Sequence, residues 1–209
     1  MLREPYKFLD AYTKDDRDIF FGREAEIEEI HSRLFMSKLL LIYGASGTGK
    51  SSLLQCGVAN RFSDADWKPI FIRRKEHLLD ALHHELARTA STPFKKQSSI
   101  SQKLESVYLD YLTPVHLIFD QIEELFIFGD HSEQEEFVRE LAEILSGHSN
   151  VRVILCIREE YLAHLSAFED RLPSLFNNRI RIEKFSRTHA LSAIEGPCRV
   201  CGVKIEPGL

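Results

Sequence analysis

The sequence predicts an α/β fold, a three-layer sandwich in which helices cover both faces of a five-stranded parallel sheet. Three observations lead to this prediction. Short apolar runs alternate with segments of helical periodicity, a glycine-rich loop joins one run directly to a helix, and charged residues close two of the later runs. Strands that alternate with helices need crossover connections, which place helices on both faces. With 209 residues, 44% of them hydrophobic, the chain is long enough for a sizeable core.

The five predicted strands are apolar runs of ordinary strand length. They are LLLIYG before the glycine-rich loop, PIFIRR (69–74), VHLIFD (115–120), VRVILCIR (151–158) and RIRIEKF (179–185). Ligands of parallel sheets bind beyond the carboxyl ends of the strands. The sequence therefore places the glycine-rich loop, Asp120 and Arg158 in one pocket.

Between these runs, apolar residues recur at helical spacing. The first helix is predicted from Ile27, Ile30, Leu34 and Phe35. A later helix is expected to begin with a capping box at 132–135 and to end at Gly147. Ser186 is predicted to cap a last helix that reaches Ile194, and the polar segment 13–18 is predicted to be a loop.

The glycine-rich loop GASGTGKS matches the phosphate-binding pattern G-x-x-x-x-G-K-[ST], here between a strand and a helix. Its backbone N–H groups and the helix N-terminus form a cradle for a polyphosphate. We expect Lys50 to reach the β and γ phosphates, Ser51 to ligate Mg²⁺ and Ser52 to contact the α phosphate. The candidate nucleotide-binding residues of the loop are Gly44, Ala45, Ser46, Gly47, Thr48, Gly49, Lys50, Ser51 and Ser52.

Acidic residues after the third predicted strand suit a metal and a water molecule. Asp120 stands where a second carboxylate that organises Mg²⁺ is expected. Glu123 or Glu124 could orient or deprotonate the water that attacks the γ phosphate. For these two glutamates a solvated helix start, where acids favour the helix dipole, is an equal alternative.

Arg158 closes the fourth predicted strand with a permanently charged, forked donor, which suits a γ-phosphate sensor. The alternative is an ion pair with Glu159, with Glu160 or with the sheet edge, and the position at the strand end favours the sensor.

Net charge and cysteine content restrict the class of protein. The formal charge of −5 gives no indication of a nucleic-acid partner, and we interpret the basic run 73–75 as a solvated strand end. The cysteines favour a reduced, cytoplasmic setting, and the C-x-x-C of Cys198 and Cys201 has no partner at zinc-ligand spacing. We expect no membrane-spanning segment.

Two other nucleotide-dependent classes were considered. The segment TKDD matches the guanine-reading [NT]-K-x-D pattern, but it precedes the phosphate-binding loop, and Asp120 is not followed by the glycine of D-x-x-G. We therefore reject a GTPase. A small-molecule kinase stays open, although the acids after Asp120 suit water activation better than binding of an acceptor.

Together these features resemble the STAND class of P-loop ATPases (signal-transduction ATPases with numerous domains), in particular its bacterial novel STAND group. The matching segments are PYKFLDAYTKDDRDIFFGRE, GASGTGKSSLL, HLIFDQIEELF, VILCIREEYL and AIEGPCRVCGVKIEPGL. They cover nearly the whole chain, and their order and spacing make the match specific.

The resemblance implies an AAA+/STAND-like P-loop NTPase in three parts. Residues 1–36 would form an adenine-side segment and helix, 37–185 the nucleotide-binding core, and 186–209 the start of a helical lid. The implied cofactors are ATP or ADP with Mg²⁺. Phe21, Gly22 and Arg23 resemble the motif beside adenine, and Pro197 resembles a lid residue that contacts the base.

The candidate catalytic residues also resemble functional residues of this class. Asp120 is similar to the Walker B acid, Glu123 and Glu124 to the downstream acidic pair, and Arg158 to the sensor-1 arginine. Lys50 is the lysine of the Walker A loop.

The resemblance further implies a signalling switch with slow ATP hydrolysis, in bacterial defence or regulation. Such a switch rests with ADP and a closed lid, and exchange for ATP permits homo-oligomerisation. Effector and sensor domains would lie elsewhere in a longer chain. The alternative is an AAA-type ATPase that loads or remodels nucleic acid or protein, which DNA-stimulated turnover would reveal. The intact phosphate-binding loop and Asp120 argue against a scaffold without nucleotide.

Overall fold

The computed structural model describes residues 4–8, 10–95 and 97–206. Within this part of the chain the strands form one sheet of five parallel members, in the order β2-β3-β4-β1-β5. They are β1 (Leu39–Gly44), β2 (Lys68–Ile72), β3 (Val115–Phe119), β4 (Val151–Arg158) and β5 (Arg179–Arg181). The predicted fold class is confirmed.

Helices cover both faces of the sheet. They are α1 (Glu24–Met36), α2 (Lys50–Ser52, continued in wider π-helical geometry over Leu53–Val58), α3 (Leu78–Thr89), α4 (Ile100–Tyr111), α5 (Glu123–Ile127), α6 (His131–Gly147) and α7 (Arg187–Cys201). Helix α1 and the π segment cover one face, while α3, α4 and α6 cover the other. Short 3-10 helices occupy Lys14–Ile19 and Glu159–Phe168.

The side-chain period of the strands divides the core into two layers. In β1, Leu39 and Leu41 belong to the cluster under α3, α4 and α6, whereas Leu40 and Ile42 belong to the cluster under α1. Successive side chains of a strand point to opposite faces, so a strand buried on both faces reads as a continuous apolar run. Burial on both faces of the sheet therefore explains why continuous apolar runs predict these strands.

Three predicted strands are shorter in the structure, and the smallest difference is at β3, which ends at Phe119 rather than at Asp120. Strand β2 ends at Ile72, so Arg73 and Arg74 lie beyond it, and neither is a solvated strand end. Instead, Arg73 pairs with Asp120 and Arg74 with Glu133. Strand β5 spans only Arg179–Arg181, because its one neighbour, β1, ends at Gly44.

The helix start predicted at 132–135 is also corrected. Helix α6 begins at His131, and its cap is Asp130, whose side chain accepts a hydrogen bond from the Glu133 N–H at 2.8 Å. Glu133 does not complete a capping box with Asp130, because its side chain pairs with Arg74. The end at Gly147 is as predicted. The segment predicted as a loop at 13–18 largely forms the 3-10 helix Lys14–Ile19.

The last helix is longer than predicted. Ser186 caps it as expected, accepting from the His189 N–H at 3.2 Å, but the helix passes Ile194 and ends at Cys201. Pro197 lies inside it and is buried, so tertiary packing outweighs the hydrogen bond that a proline removes. Residues 207–209 of the predicted lid, and residues 1–3 and 9 of the N-terminal part, lie outside the described residues.

Candidate nucleotide-binding site

The sheet register brings the predicted site residues to one edge. Gly44 at the end of β1 pairs with Arg158 at the end of β4, and Ile72 pairs with Phe119 at the ends of β2 and β3. Asp120, the next residue after β3, therefore lies beside the end of β2, and its N–H donates to the Ile72 carbonyl at 2.9 Å. Three loops that are distant in sequence meet at this edge.

A cavity of about 370 Å³ opens at this edge. Residues from the glycine-rich loop, the ends of three strands and the N-terminal segment line it: Asp10, Ala11, Ser46, Gly47, Gly49, Lys50, Ser51, Ser52, Arg73, Asp120, Gln121, Glu123 and Arg158. Three basic side chains and backbone N–H groups at a helix start face this space, which is the chemistry that holds a polyphosphate.

The glycine-rich loop has the backbone conformation that a phosphate cradle requires. Gly49, which precedes α2, has φ 84°, and Gly47 has φ 76°, both in the left-handed region that glycine adopts at no steric cost. Lys50 folds back along the loop and donates to the carbonyls of Gly44 and Ala45, at 2.8 and 3.0 Å. The ammonium group thus lies within the cradle.

Ser51 and Asp120 form the oxygen pair expected of a magnesium site. The Ser51 hydroxyl donates to Asp120 Oδ2 at 2.8 Å, and Asp120 is 4% exposed. Hydroxyl and carboxylate oxygens are hard donors of the kind that Mg²⁺ prefers, so the pair fits this metal. The same carboxylate oxygen also accepts two hydrogen bonds from Arg73, from Nε at 3.0 Å and from Nη2 at 2.5 Å.

Glu123 and Arg158, proposed separately from the sequence, form one unit. Arg158 Nε lies 2.9 Å from Glu123 Oε1, and the Arg158 backbone N–H donates to Glu123 Oε2 at 3.2 Å. Glu123 is only 3% exposed, so it is not a solvated helix start. Arg158 does not pair with the neighbouring Glu159, which binds Arg181 instead.

The turn between Asp120 and Glu123 depends on an unusual backbone conformation. Gln121 has φ 61°, which costs a residue with a side chain about 1–2 kcal/mol. This left-handed residue redirects the chain after β3, so that α5 begins with Glu123 facing Arg158. Strain of this kind is common at functional sites.

Glu124 has a different environment from Glu123. It does not line the 370 Å³ cavity, and burial, together with the charge of Glu123, raises the pKa of its carboxyl above the ordinary value. The structure therefore separates the two glutamates that the sequence left equivalent.

A second, smaller cavity of about 170 Å³ adjoins the first. It is lined mostly by apolar and aromatic residues: Tyr12, Ile19, Phe20, Phe21, Arg23, Gly47, Thr48, Gly49, Ser52, Phe185 and Ala193. Gly47, Gly49 and Ser52 line both cavities. An aromatic compartment that opens from a phosphate cradle suits a nucleotide base.

Arg23 fastens this compartment to the glycine-rich loop. Its side chain is buried, and Nη2 donates to the carbonyls of Thr48 and Glu183 at 2.9 and 3.0 Å. Its guanidinium lies 4.0 Å above the Phe185 ring and pairs with Glu26. Arg23 thus forms part of the compartment wall, and both of its terminal nitrogens already have partners.

Gly22 and Pro197, the other predicted base-side residues, do not line either cavity. Pro197 is buried inside α7, and its neighbour Gly196 packs against the Phe21 ring. A Cβ on Gly196 would lie 2.5 Å from that ring, so this contact requires glycine. Helix α7 therefore approaches the aromatic cavity through Gly196 and Ala193.

Sequence reasoning missed Arg73, Tyr12 and Phe185. Tyr12 lies in a segment without periodicity and Phe185 ends a predicted strand, so only the folded chain shows that both line the aromatic cavity. For Arg73 there was a signal, because it follows an apolar run as Asp120 does. The missing information was that β2 and β3 are neighbours.

The fold and the site define a P-loop NTPase. The chain belongs to the novel STAND NTPase 1 family, whose family model matches residues 5–209. This confirms the resemblance inferred from the motifs. No curated protein matches the chain at a significant level.

Solved structures share the fold at low identity. A Walker-type ATPase of Pyrococcus abyssi is 18% identical with a TM-score of 0.68, over 95% of this chain and 63% of that one. ORC2 of Aeropyrum pernix, solved as ADPNP-ADP complexes, is 14% identical with a TM-score of 0.63, over 85% and 52%. AMPPCP-bound DnaA of Aquifex aeolicus is 20% identical with a TM-score of 0.58, over 96% and 59%.

This chain thus spans between about half and two thirds of the length of these proteins. In the described part of the chain, none of the helices has the length and apolar character needed to cross a membrane.

Proposed function

We propose that this chain is the ATP- and ADP-binding module of a signalling switch, and that it hydrolyses ATP slowly. The observation that carries the proposal is the pair of adjoining cavities, one polar and one aromatic, that share Gly47, Gly49 and Ser52. A nucleotide laid across these residues has its phosphates beside Lys50 and its base beside Phe21.

Each side chain at the phosphate end has a proposed task. Lys50 binds the β and γ phosphates, Ser51 and Asp120 hold Mg²⁺, and Ser52 contacts the α phosphate. Bound Mg²⁺ would neutralise charge that develops on the phosphate oxygens. Arg158 reads the γ phosphate.

We assign the water-orienting role to Glu123 rather than Glu124. Glu123 lines the phosphate cavity, is held from two directions by Arg158, and is nearly inaccessible to bulk solvent. Because Arg158 holds both oxygens of this carboxylate, contact of Arg158 with a γ phosphate would loosen Glu123. This coupling would make water activation depend on the nucleotide.

The switch proposal rests on how three parts of the chain meet around the base compartment. Tyr12 of the N-terminal segment donates its N–H to Ser52 Oγ at 3.1 Å, and Tyr6 Oη donates to the Ile194 carbonyl of α7 at 2.6 Å. The N-terminal segment (1–36) therefore bridges the core (37–185) and the lid helix. A nucleotide that contacts all three would bias the position of the lid part (186–209), and with it self-association.

The remaining proposals follow the family resemblance. Effector and sensor domains would lie in a longer chain, and bacterial defence or regulation in the cytoplasm would be the setting. The four cysteines are free thiols, which suits a reducing compartment.

A turnover assay with purified protein tests the switch against the loader. We expect slow ATP hydrolysis that DNA does not accelerate, ADP retained in near-stoichiometric amount, and a shift in molecular mass by light scattering when ATP replaces ADP. Rapid turnover that DNA stimulates would contradict the switch and favour the loader. A mass that is the same with either nucleotide would contradict nucleotide-dependent self-association.

A further inference from the structure

Arg73 contacts both side chains that are proposed to hold Mg²⁺. It is the first residue after β2, and its guanidinium donates twice to Asp120 Oδ2 and once to Ser51 Oγ, the last at 3.3 Å. Ser51 in turn donates its own proton to the same Asp120 oxygen. The three side chains form a closed triangle of hydrogen bonds.

The two oxygens in this triangle are the ones assigned to the metal. For Ser51 to ligate Mg²⁺, its hydroxyl oxygen must face the metal, and the positively charged Arg73 already donates to that oxygen at 3.3 Å. Asp120 Oδ2 already has three donors, and a dication beside it would repel the guanidinium at close range. The guanidinium of Arg73 and a metal held by Ser51 and Asp120 therefore compete for the same two side chains.

The surroundings let the Arg73 side chain leave while its backbone stays in place. The adjacent Arg74 is anchored, with Nε and Nη2 donating to the two oxygens of buried Glu133 at 3.0 and 2.9 Å. The Arg73 side chain is 47% exposed. A swing of this side chain therefore needs no rearrangement of β2.

A neighbouring cavity offers the displaced guanidinium a destination. Arg73 also lines a space of about 570 Å³ between the end of β2, the π segment after the P-loop and α3. Glu76, Asp80 and Glu85 line the same space. An arginine that leaves Asp120 can thus turn toward a space that three carboxylates line.

We propose that Arg73 is a built-in competitor of Mg²⁺, and that it sets the preference of the site between metal-free and metal-bound nucleotide. Without the metal, Arg73 neutralises Asp120 beside the phosphates. When Mg²⁺ enters with the nucleotide, Arg73 must give up its bonds to Asp120 and Ser51. This inference rests on the proposed nucleotide site and adds a residue that tunes its metal dependence.

Calorimetric titration of ADP, once with Mg²⁺ and once with EDTA, tests the proposal. The informative quantity is the ratio of the Kd in EDTA to the Kd in Mg²⁺. In Arg73→Ala we expect this ratio to rise about tenfold over wild type, the factor that a charge-assisted hydrogen bond is worth. The rise combines weaker binding of free ADP with tighter binding of Mg·ADP.

Two further variants separate the specific contact from general charge. Lys75 lies two residues after Arg73, and its side chain is not bonded to Asp120. Lys75→Ala therefore removes one nearby positive charge without removing a contact to Asp120, and we expect a ratio within about twofold of wild type. Arg73→Lys keeps the charge but loses the forked geometry, so its ratio should lie between wild type and Arg73→Ala. Thermal unfolding confirms that each variant is folded.

The outcomes distinguish the inference from the proposed function. If wild type and Arg73→Ala both bind ADP with the same ratio, Arg73 does not compete with the metal, and the nucleotide site stands. If Arg73→Ala does not fold, an unchanged ratio in Arg73→Lys overturns the inference equally. If wild type binds no adenine nucleotide in either buffer, the proposed function itself fails.

Discussion

Arg158 holds both oxygens of the Glu123 carboxylate, one through its side-chain Nε at 2.9 Å and the other through its backbone N–H at 3.2 Å. The proposed γ-phosphate reader and the proposed water-orienting acid are therefore one assembly. Because Glu123 is buried, a nucleotide that draws the guanidinium away would leave this acid with fewer partners. We therefore expect substitutions of Glu123 and of Arg158 to have different effects.

Glu123→Gln should keep nucleotide binding and slow hydrolysis. An amide has nearly the same shape but cannot accept the proton of water, and general-base catalysis contributes about 10²–10⁴-fold. We expect single-turnover hydrolysis to fall about 100-fold, with ATP affinity within about threefold of wild type. Glu124→Gln is the matched control and should hydrolyse ATP at close to the wild-type rate. Equal slowing in both variants would remove the distinction between the two glutamates.

Arg158→Ala should reduce discrimination between ATP and ADP. In the proposed role the lost guanidinium contacts the γ phosphate, so ATP affinity should fall about tenfold or more while ADP affinity changes little. Calorimetry with a non-hydrolysable ATP analogue measures this difference. Arg152→Ala, on the same strand but near its opposite end, should leave both affinities unchanged. A parallel loss of ADP and ATP affinity in Arg158→Ala would contradict the sensor role.

Arg74→Ala should destabilise the fold. Arg74 and Glu133 are 10% and 4% exposed, and removing one partner of a buried pair costs about 3 kcal/mol or more. Urea unfolding measures the loss. Arg88→Ala breaks a solvent-exposed pair with Glu85 and should change the free energy of unfolding by no more than about 0.5 kcal/mol. Similar effects for the two variants would contradict the structural role of the Arg74 pair.

The same pair predicts a pH dependence. Burial alone would raise the pKa of Glu133, but hydrogen bonds from Arg74 and from the Leu78 N–H outweigh it, so the pKa lies below the ordinary 4.5. A depressed pKa gives stability that is present above 4.5 and is lost as the pH falls through the folded-state value. The stability gap between wild type and Arg74→Ala should therefore shrink on acidification below about pH 4. A gap that widens with acid would contradict this assignment.

Gly196→Ala should destabilise the contact between α7 and the base compartment. Alanine favours a helix over glycine by about 1 kcal/mol, yet its Cβ would lie 2.5 Å from the Phe21 ring. Overpacking of this kind costs about 1–3 kcal/mol, so we expect a lower melting temperature and weaker ADP binding. Gly147→Ala, where nothing lies within 4 Å, is the control and should not lose stability. A Gly196→Ala protein as stable as wild type would contradict the close packing.

Local sequence signals predicted those parts of the site that are contiguous in the chain. The phosphate-binding loop consists of eight successive residues. The rule that ligands bind beyond the carboxyl ends of parallel strands predicts that Asp120 and Arg158 lie beside it. Arg73 could not be placed, because its role depends on β2 lying beside β3 rather than elsewhere in the sheet. Pairing order is a property of the whole core.

The last helix shows the other limit of local signals. Glycine and proline at 196–197 favour an end to the helix, yet α7 continues to Cys201 because both residues are buried. Tertiary contacts that decide such cases, here Phe21 against Gly196, join residues far apart in sequence.

Calorimetric titration of Mg·ATP and Mg·ADP into wild type and Lys50→Ala tests the central claim most directly. The Lys50 ammonium lies inside the cradle, 2.8 Å from the Gly44 carbonyl, where it would meet the phosphates. Lys14→Ala, which removes a surface lysine paired with Asp64, is the control. We predict that wild type and Lys14→Ala bind both nucleotides, while Lys50→Ala remains folded and binds neither. Unchanged affinity in folded Lys50→Ala would contradict the assignment of this edge of the sheet as the nucleotide site.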